Sequence, residues 1–329
     1  MIDRRAAQVQ AMKTALDAHR VLGTDLTRQV DVYSAIANFG VTLAFVPLTN
    51  LSAAYMPGLP ETDGRPGIVI NSRHPRSRQR YSAGHELCHH LRDQDVVWDS
   101  STELLGRGQQ PVDEREATAE AFAAWFLMPP GLVRHYWRQL QIGQHVAPDS
   151  VYRLSLALGT SYLATAFHLY TLRLISRPVW RSLAEVPPKW IKSQLAVHGP
   201  GDSWGDVWRI TEQDGDRPSI TPRPGDEIVI DLPELPSSGY VWSVVNKTPK
   251  VRIEDSSFEP QAPGNEDDPR YGGWGRRRIV MRAVEPGRLD VQLAMRRPWE
   301  GDQSPARFLA LDVNVEDRIE GYAPLAEAV

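Results

Sequence analysis

The 329-residue sequence has a single cysteine, Cys88, and no apolar run of the roughly 18 residues that a membrane-spanning helix needs. One cysteine excludes an internal disulfide and favours a reducing, cytoplasmic location. The charged start of the chain, Met1–Arg5, lacks the apolar core of a secretory signal. The net charge of −4 argues against a general nucleic-acid binder, so direct DNA binding is not expected, and neither is a membrane partner.

Histidine is missing after His198, and proline is concentrated after residue 176. Histidine chemistry therefore belongs to the first half of the chain. Apolar residues recur there at helical spacing, and glycine or proline ends each run. The pattern predicts helices over residues 4–22, 26–39, 81–94, 113–128, 131–141 and 148–175, the last interrupted by a turn at 159–161.

Three short β-branched runs interrupt these helices, namely 41–46, 51–56 and 67–70. Each is bounded by glycine, proline or asparagine, as strands commonly are. We predict that they form a small antiparallel sheet packed on the helices, which gives this part of the chain an α+β fold.

The second half alternates apolar and polar residues between turn clusters, the pattern of half-buried strands. Strands are predicted over 227–232, 240–245, 277–284, 288–295 and 307–315, which together favour an all-β, immunoglobulin-like sandwich. We therefore divide the chain into a first domain at 1–176 that includes the helical segment 148–176, a connector at 177–219, the sandwich at 220–317 and a tail at 318–329.

The strongest chemical signal is His85-Glu86-Leu87-Cys88-His89. Residues four apart share a helix face, so both imidazoles can point at one zinc ion. The glutamate beside the first histidine can then act as general base on a water molecule, as in zinc peptidases. Cys88 is expected to be a small buried thiol and not a ligand.

A catalytic zinc ion needs a third protein ligand from another element. Asp113, Glu114, Glu116 and Glu120 start or line the next helix, and the apolar neighbours of Glu116 and Glu120 indicate a buried face. A buried carboxylate is costly unless it is paired or bound to metal, so Glu116 is predicted as the ligand. Glu120 would accept a hydrogen bond from a ligand histidine. The alternative is that both are exposed acids at a helix start.

Two residues near the motif are candidates for substrate contact. His74 belongs to a basic segment at 72–80 that directly precedes the motif helix and forms either a solvated loop and helix start or a charged rim beside the site. Tyr81 starts the run that leads to His85, and its phenol or that of Tyr55 could stabilise an oxyanion, although the spacing selects neither.

The first part of the chain resembles the ImmA/IrrE family of metallopeptidases over about residues 5–176. The resemblance rests on Gly67–Asn71, on Arg80–His89, and on Glu116–Ala123 continuing to Leu127-Met128-Pro129. It implies that His85, His89 and Glu116 bind zinc and that Glu86 is the catalytic base. The family usually has Asn or Asp where this sequence has Glu120.

Proteins of that family typically cleave or sequester a helix-turn-helix repressor and so release genes for stress response or mobile-element transfer. Many carry an N-terminal DNA-binding domain. This chain starts directly with the peptidase part, so the resemblance implies a repressor encoded as a separate protein.

The second part is similar to the chagasin-like inhibitors of cysteine proteases, over about residues 220–317. Three loops carry the similarity: 235–242, 272–275 and 297–300. In such inhibitors these loops form a wedge that enters a protease cleft. The resemblance implies partner-binding roles for Ser237, Ser238, Gly239, Tyr240, Trp242, Gly273, Trp274, Arg297 and Trp299.

The leading hypothesis is a zinc endopeptidase that cuts a specific intracellular protein, with partner recognition by the sandwich. The alternative is a protein that binds without cutting, either by sequestering a repressor or by blocking a papain-like cysteine protease through the sandwich loops. The loops could also belong to a plain scaffold.

Overall fold

A computed structural model describes residues 4–58, 64–92, 114–200, 205–246, 248–260, 273–300, 304–317, 319 and 321–322. The chain forms two compact units. The first contains Met1–Arg138, Leu154–Ala184 and Ile319–Val329, and the second contains Gln139–Arg153 and Glu185–Arg318. Within the described residues, no helix combines the length and apolar character needed to cross a membrane. Asp113 and residues 261–272 lie outside the described part.

The described helices are α1 (Arg4–Leu22), α2 (Val32–Asn38), α3 (Arg76–Arg92), α4 (Glu114–Leu127), α5 (Pro130–Gln139), α6 (Pro148–Leu158), α7 (Tyr162–Thr171), α8 (Arg177–Ala184) and α9 (Pro188–Leu195). The prediction of one helix over 26–39 was wrong at its start. Asp31 caps α2, because its carboxylate accepts hydrogen bonds from the backbone N–H groups of Tyr33 and Ser34. The predicted start of the motif helix at residue 81 was also wrong, since α3 begins at Arg76, within the basic segment.

The sheet of the first unit contains β1 (Thr42–Val46), β2 (Ala53–Met56), β3 (Gly67–Asn71) and β12 (Gly321–Tyr322), in the order β12-β1-β3-β2. The prediction of a purely antiparallel sheet was wrong, because β3 inserts between the other two and pairs in parallel with β1. Strand periodicity fixes which face a residue occupies but not which strands become neighbours. Two residues of the predicted tail pair with β1, and β2 lies at the other edge of the sheet.

Small residues let α4 pack closely between two helices. The alanines at positions 7, 11, 15 and 18 form a buried stripe on α1, which packs on α4. α4 also packs on α3, where Gly84 faces Ala123 of α4, and a Cβ at Gly84 would lie 3.3 Å from the Ala123 Cα. This packing sets the distance between the two helices that carry the predicted zinc ligands.

His168 of α7 is a buried base of the same unit. It is 3% exposed, and its Nε2 lies 3.0 Å from the carbonyl oxygen of Met128. Burial lowers the pKa of His168 from its usual 6.5 to about 4. The imidazole is therefore neutral in the folded protein at neutral pH.

The lowered pKa predicts acid destabilisation of this unit. The unfolded chain binds a proton at His168 before the folded chain does, so this contribution to stability is complete above about pH 6.5 and is lost as the pH falls towards 4. The loss amounts to roughly 3 kcal/mol. His168→Gln keeps an N–H donor but cannot titrate, so its stability should fall less between these pH values. Urea unfolding of both proteins with a chelator present measures this, and equal pH dependence would contradict it.

The second unit holds two four-stranded sheets. Their strands are β4 (Val207–Thr211), β5 (Ser219–Ile220), β6 (Glu227–Glu234), β7 (Val241–Val244), β8 (Val251–Pro260), β9 (Gly275–Ala283), β10 (Gly287–Arg296) and β11 (Arg307–Val315). One sheet has the order β5-β11-β10-β7 and the other β4-β6-β9-β8. The predicted fold class, α+β followed by an all-β part, is confirmed.

Five of these strands were predicted from the sequence, whereas β4, β5 and β8 were not. β8 is an edge strand whose register shifts between Ile253 and Asp255, so its alternation of apolar and polar residues is broken. β4 lies in the segment predicted as a connector, which also holds α8 and α9, and it pairs in parallel with β6.

Candidate metal centre and loop cluster

Helix α3 brings two histidines together, as the spacing predicted. His85 and His89 lie one turn apart, and their Nε2 atoms are 3.2 Å apart. The ring centroids are separated by 5.0 Å with an interplanar angle of 67°. Both Nε2 atoms therefore face the same point beside the helix.

Glu116 reaches this point from α4. Its Oε2 lies 3.3 Å from the His85 Nε2, and its Oε1 lies 3.3 Å from the His89 Nε2. Hydrogen bonding to the two imidazoles holds the pKa of Glu116 well below its usual range. The side chain of Glu116 is 48% exposed, so the cluster has one side open to solvent.

The donor atoms of these three residues fit a zinc ion. They all lie within 4.8 Å of one another. In a tetrahedral zinc site with bonds of about 2.0–2.1 Å, neighbouring ligand atoms are about 3.3 Å apart, close to the separations seen here. Two imidazoles and one carboxylate are also a donor set of catalytic zinc sites, which leave a position for water.

Glu86 is buried beside the histidines. It is 9% exposed, and the backbone N–H of Tyr55 on the edge strand β2 donates to its carboxylate. Burial is the main cause that raises the pKa of Glu86, with a smaller contribution of the same sign from Glu116. A carboxylate with a raised pKa is a stronger base, which suits it to take and return a proton.

His90 supports this region in a way that the sequence did not indicate. It is 8% exposed, and its Nδ1 lies 3.1 Å from the hydroxyl oxygen of Tyr55. It also bonds to the backbone carbonyl of Phe39. These contacts tie β2 to α3 next to Glu86. The only sequence signal for His90 is that it is a third histidine, directly after the His85–His89 motif.

The other residues predicted near the motif occupy separate places. The hydroxyl of Tyr81 donates to the backbone carbonyl of Glu120 at 2.8 Å, and burial raises the pKa of Tyr81. The side chain of Glu120 is exposed, and its proposed hydrogen bond to a ligand histidine stays a prediction. His74 lies in the turn before α3, where burial and nearby Arg78 lower its pKa. Cys88 is buried.

The close approach at Gly84 leads to a testable expectation. Gly84→Val should push α4 away from α3 and move Glu116 from the histidines, because the added atoms meet the Ala123 backbone. Overpacking of this kind destabilises proteins by about 1–3 kcal/mol. Denaturant unfolding and zinc titration measure the two effects. Gly143→Val is the control, since no atom lies within 4 Å of its Cβ position. Unchanged stability and zinc affinity in Gly84→Val would show that the contact does not set the site.

The strand register gathers the three predicted loops at one end of the sandwich. Glu234, the last residue of β6, pairs with Gly275, the first of β9. Val241, the first residue of β7, pairs with Arg296, the last of β10. The loop 235–240, residues 273–274 and the loop after Arg296 therefore share this end, which we call the loop end.

Arg297 connects two of these loops. Its Nε donates to the Ser238 carbonyl at 3.1 Å, and its Nη1 donates to Glu300 at 2.8 Å. Its guanidinium lies 4.5 Å from the centre of the Tyr240 ring, a cation–π contact. Ser237 belongs to the same loop, in a short 3₁₀ turn at 236–238.

Gly239 is required where Trp299 crosses the first loop. Its φ is +77°, and a Cβ there would lie 2.5 Å from the Trp299 ring. Trp299 is nevertheless 71% exposed, and Trp274, which follows Gly273, is 58% exposed. Two large aromatic side chains thus face solvent at the loop end.

Trp242 differs from the other predicted loop residues. It is 4% exposed, and its indole N–H donates to the Pro233 carbonyl at 3.1 Å. Its backbone N–H donates to the buried Glu234, which also pairs with Arg277 at 2.6 Å. Trp242 therefore contributes to the core beneath the loops.

Comparison with known families supports both resemblances. Residues 37–170 match the IrrE N-terminal-like domain, a peptidase family designated M78. Residues 221–313 match the chagasin family of peptidase inhibitors, designated I42. The chain thus contains a part similar to a peptidase family, which holds the candidate metal centre, and a part similar to an inhibitor family, which holds the loop end.

Similar solved structures include a cysteine protease inhibitor from Entamoeba histolytica, 22% identical, covering 34% of this chain and 96% of that chain with a TM-score of 0.29. The solution structure of amebosin is 26% identical over 34% of this chain and 98% of that chain, with a TM-score of 0.27. A Mycobacterium tuberculosis transcriptional regulator is 12% identical over 83% of this chain and 76% of that chain, with a TM-score of 0.33. No curated protein matches the chain.

Proposed function

We propose that this chain, whose first part resembles the IrrE-like peptidases, is a zinc-dependent endopeptidase. The observation that carries the proposal is the convergence of His85, His89 and Glu116, with their donor atoms within 4.8 Å, next to the buried carboxylate of Glu86. The first three residues are proposed to bind zinc. Glu86 is not needed as a ligand and is free to serve as general base.

The chemistry follows from these positions. A zinc ion held there would lower the pKa of a water molecule and polarise the carbonyl of the scissile peptide. Glu86 accepts a proton from the attacking water and returns it to the leaving amine. The N–H of Tyr55 favours the ionised form of Glu86 and keeps it in place between the two proton transfers.

The edge strand β2 is the proposed binding site for the substrate backbone. β2 pairs with β3 on one side, and its Tyr55 touches the catalytic glutamate. An extended peptide could add to this edge by β-augmentation, which would bring its backbone next to Glu86. A specific protein, by family resemblance a helix-turn-helix repressor, is the proposed target, and the sandwich is proposed to assist its recognition.

A cleavage assay with defined products tests the proposed activity. The full chain with zinc is incubated with a library of unstructured peptides and with purified helix-turn-helix repressors, and new N-termini are identified by mass spectrometry. We expect cuts that a chelator abolishes and that zinc restores. Cuts that persist in the chelator would come from a contaminating protease, and absence of zinc-dependent cuts from all substrates would refute the proposal.

The loop end supports a second candidate function, binding of a papain-like cysteine protease. The specific observation is that Trp274 and Trp299 are exposed on loops held by the Arg297 contacts. Titrating papain with the full chain tests this candidate. Inhibition at micromolar concentration that is lost in Trp299→Ala would support it, and full papain activity would exclude it.

A further inference from the structure

An exposed aromatic patch lies on α7 and α8, away from the residues proposed for catalysis. Leu163, Phe167 and Tyr170 fall at positions i, i+4 and i+7 of α7, so they share one face. Leu163 is 49% exposed and Phe167 48%. Trp180 of α8 stacks on Tyr170 with centroids 5.6 Å apart and lies 5.6 Å from Phe167. We call these four residues the aromatic patch. Tyr170 and Trp180 are half-buried, so the exposed part of the patch is centred on Leu163 and Phe167. Exposed apolar side chains that lie together in this way mark interaction sites.

The patch lies in a segment without acidic residues. Residues 150–184 contain four arginines and no aspartate or glutamate, in a chain whose net charge is −4. Arg173, Arg177 and Arg181 are exposed. Arg177 lies three residues before Trp180 and four before Arg181, spacings that make Arg177 a neighbour of both side chains on the surface of α8. The surface of the patch is therefore both apolar and positively charged.

The backbone at Arg173 adds independent evidence. Its φ is +59°, the left-handed region that favours glycine. The N–H of Arg173 donates to the Tyr170 carbonyl at 3.0 Å, and the N–H of Leu174 donates to the Leu169 carbonyl at 3.0 Å. This pair of hydrogen bonds is the Schellman ending of a helix, where glycine is the usual residue. The chain keeps a long cationic side chain where glycine would be more stable, which points to a use for that side chain.

We propose that the aromatic patch and its three arginines form a docking surface for an acidic, amphipathic segment of a partner protein. Trp, Tyr and Arg are the residue types that dominate binding energy at protein interfaces. Carboxylates of the partner would pair with the arginines while its apolar side chains cover the rings.

Membrane sites that depend on charge use clusters of about 4–8 basic residues, more than this surface offers. A duplex DNA site would place cations, not an apolar stripe, against phosphates. The proposal is independent of the zinc chemistry.

Binding of two labelled helical peptides to the full chain tests the proposal. The peptides share their apolar residues and carry glutamate or lysine at all polar positions, and fluorescence anisotropy gives their affinities. We expect the acidic peptide alone to bind, more tightly at low salt. Phe167→Ala should weaken binding at least about fivefold, and Arg181→Glu about tenfold. Arg134→Glu, an exposed arginine on α5, is the control with the same charge change and should bind normally.

Arg173→Gly distinguishes a docking role from a structural one. Glycine relieves the left-handed backbone, so the melting temperature should rise by about 2–4 °C, while the affinity for the acidic peptide falls severalfold. Equal binding of both peptides, unchanged affinity in Phe167→Ala and Arg181→Glu, or tighter binding to phosphatidylserine vesicles or duplex DNA than to the acidic peptide would each overturn the proposal.

Discussion

Replacing Glu116 by glutamine is expected to lower the zinc affinity of the chain by more than 100-fold. Glutamine has almost the same shape but no charge, and its amide nitrogen cannot bind a cation. Replacing a residue that only supports a metal ligand typically lowers the metal affinity by about 10–100-fold, so replacing a direct ligand should lower it further. His85 and His89 would remain 3.2 Å apart and could still bind zinc weakly.

Competition with a chromophoric chelator measures this affinity, and mass spectrometry of the purified protein gives the zinc content. Wild type should hold about one zinc ion per chain. Glu114→Gln is the matched control, because Glu114 is an exposed glutamate in the first turn of the same helix. If Glu116→Gln retained wild-type affinity, the third ligand would have to be another residue, and the site proposed here would be wrong.

Zinc binding should also appear as a change in stability. A ligand that binds only the folded state stabilises it by about 4 kcal/mol at a concentration 1,000 times its dissociation constant. Thermal unfolding of wild type should therefore shift upward with zinc and return with a chelator. Glu116→Gln should show a much smaller shift at the same zinc concentration.

The candidate metal centre was predictable because its proposed ligands obey local rules. The spacing of His85 and His89 places them on one helix face whatever the tertiary fold, and Glu116 was inferred from the cost of burying a carboxylate among apolar neighbours. The structure brings all three together, although Glu116 is half exposed and not buried. Glu116 lies on the side of the cluster that is open to solvent, and the sequence pattern does not reveal this exposure.

Features that depend on long-range packing were not predictable. The Tyr55 N–H reaches Glu86 only because β3 pairs with β2 and places that edge strand against α3. The role of His90 depends on the same arrangement. Likewise, the Gly84–Ala123 contact requires two helices separated in sequence by a segment outside the described residues. None of these contacts has a periodic signature along the chain.

The sandwich shows the same division between local and distant information. Strands with clean alternation, such as β11, were found with their boundaries, whereas the bulged edge strand β8 was missed. The loop residues were grouped by resemblance, but only the registers of Glu234 with Gly275 and of Val241 with Arg296 show that they share one end. The burial of each side chain then separates Trp242, which lies in the core, from the exposed Trp299.

Replacing Glu86 by glutamine is expected to reduce peptide cleavage by about 10²–10⁴-fold, the range for loss of a general acid–base group. The oxygen of glutamine can still accept the Tyr55 N–H, so the fold around β2 should persist. The amide cannot take a proton from water, so the attacking water is not activated and the leaving amine is not protonated. Rates of cleavage of one identified substrate, measured at saturating concentration, give the size of the loss.

Zinc content separates this effect from loss of the metal. Glu86→Gln should bind zinc within about twofold of wild type, because Glu86 is proposed neither to bind the metal nor to support one of its ligands. Loss of a residue that supports a ligand would lower the affinity by about 10–100-fold. Substrate affinity should also survive, because glutamine leaves the β2 edge intact. Glu114→Gln again provides the control for removing one acidic group near the site. If Glu86→Gln cleaved at the wild-type rate while binding zinc normally, the general base would be another residue, and the mechanism built on the neighbouring Tyr55 contact would fail with it.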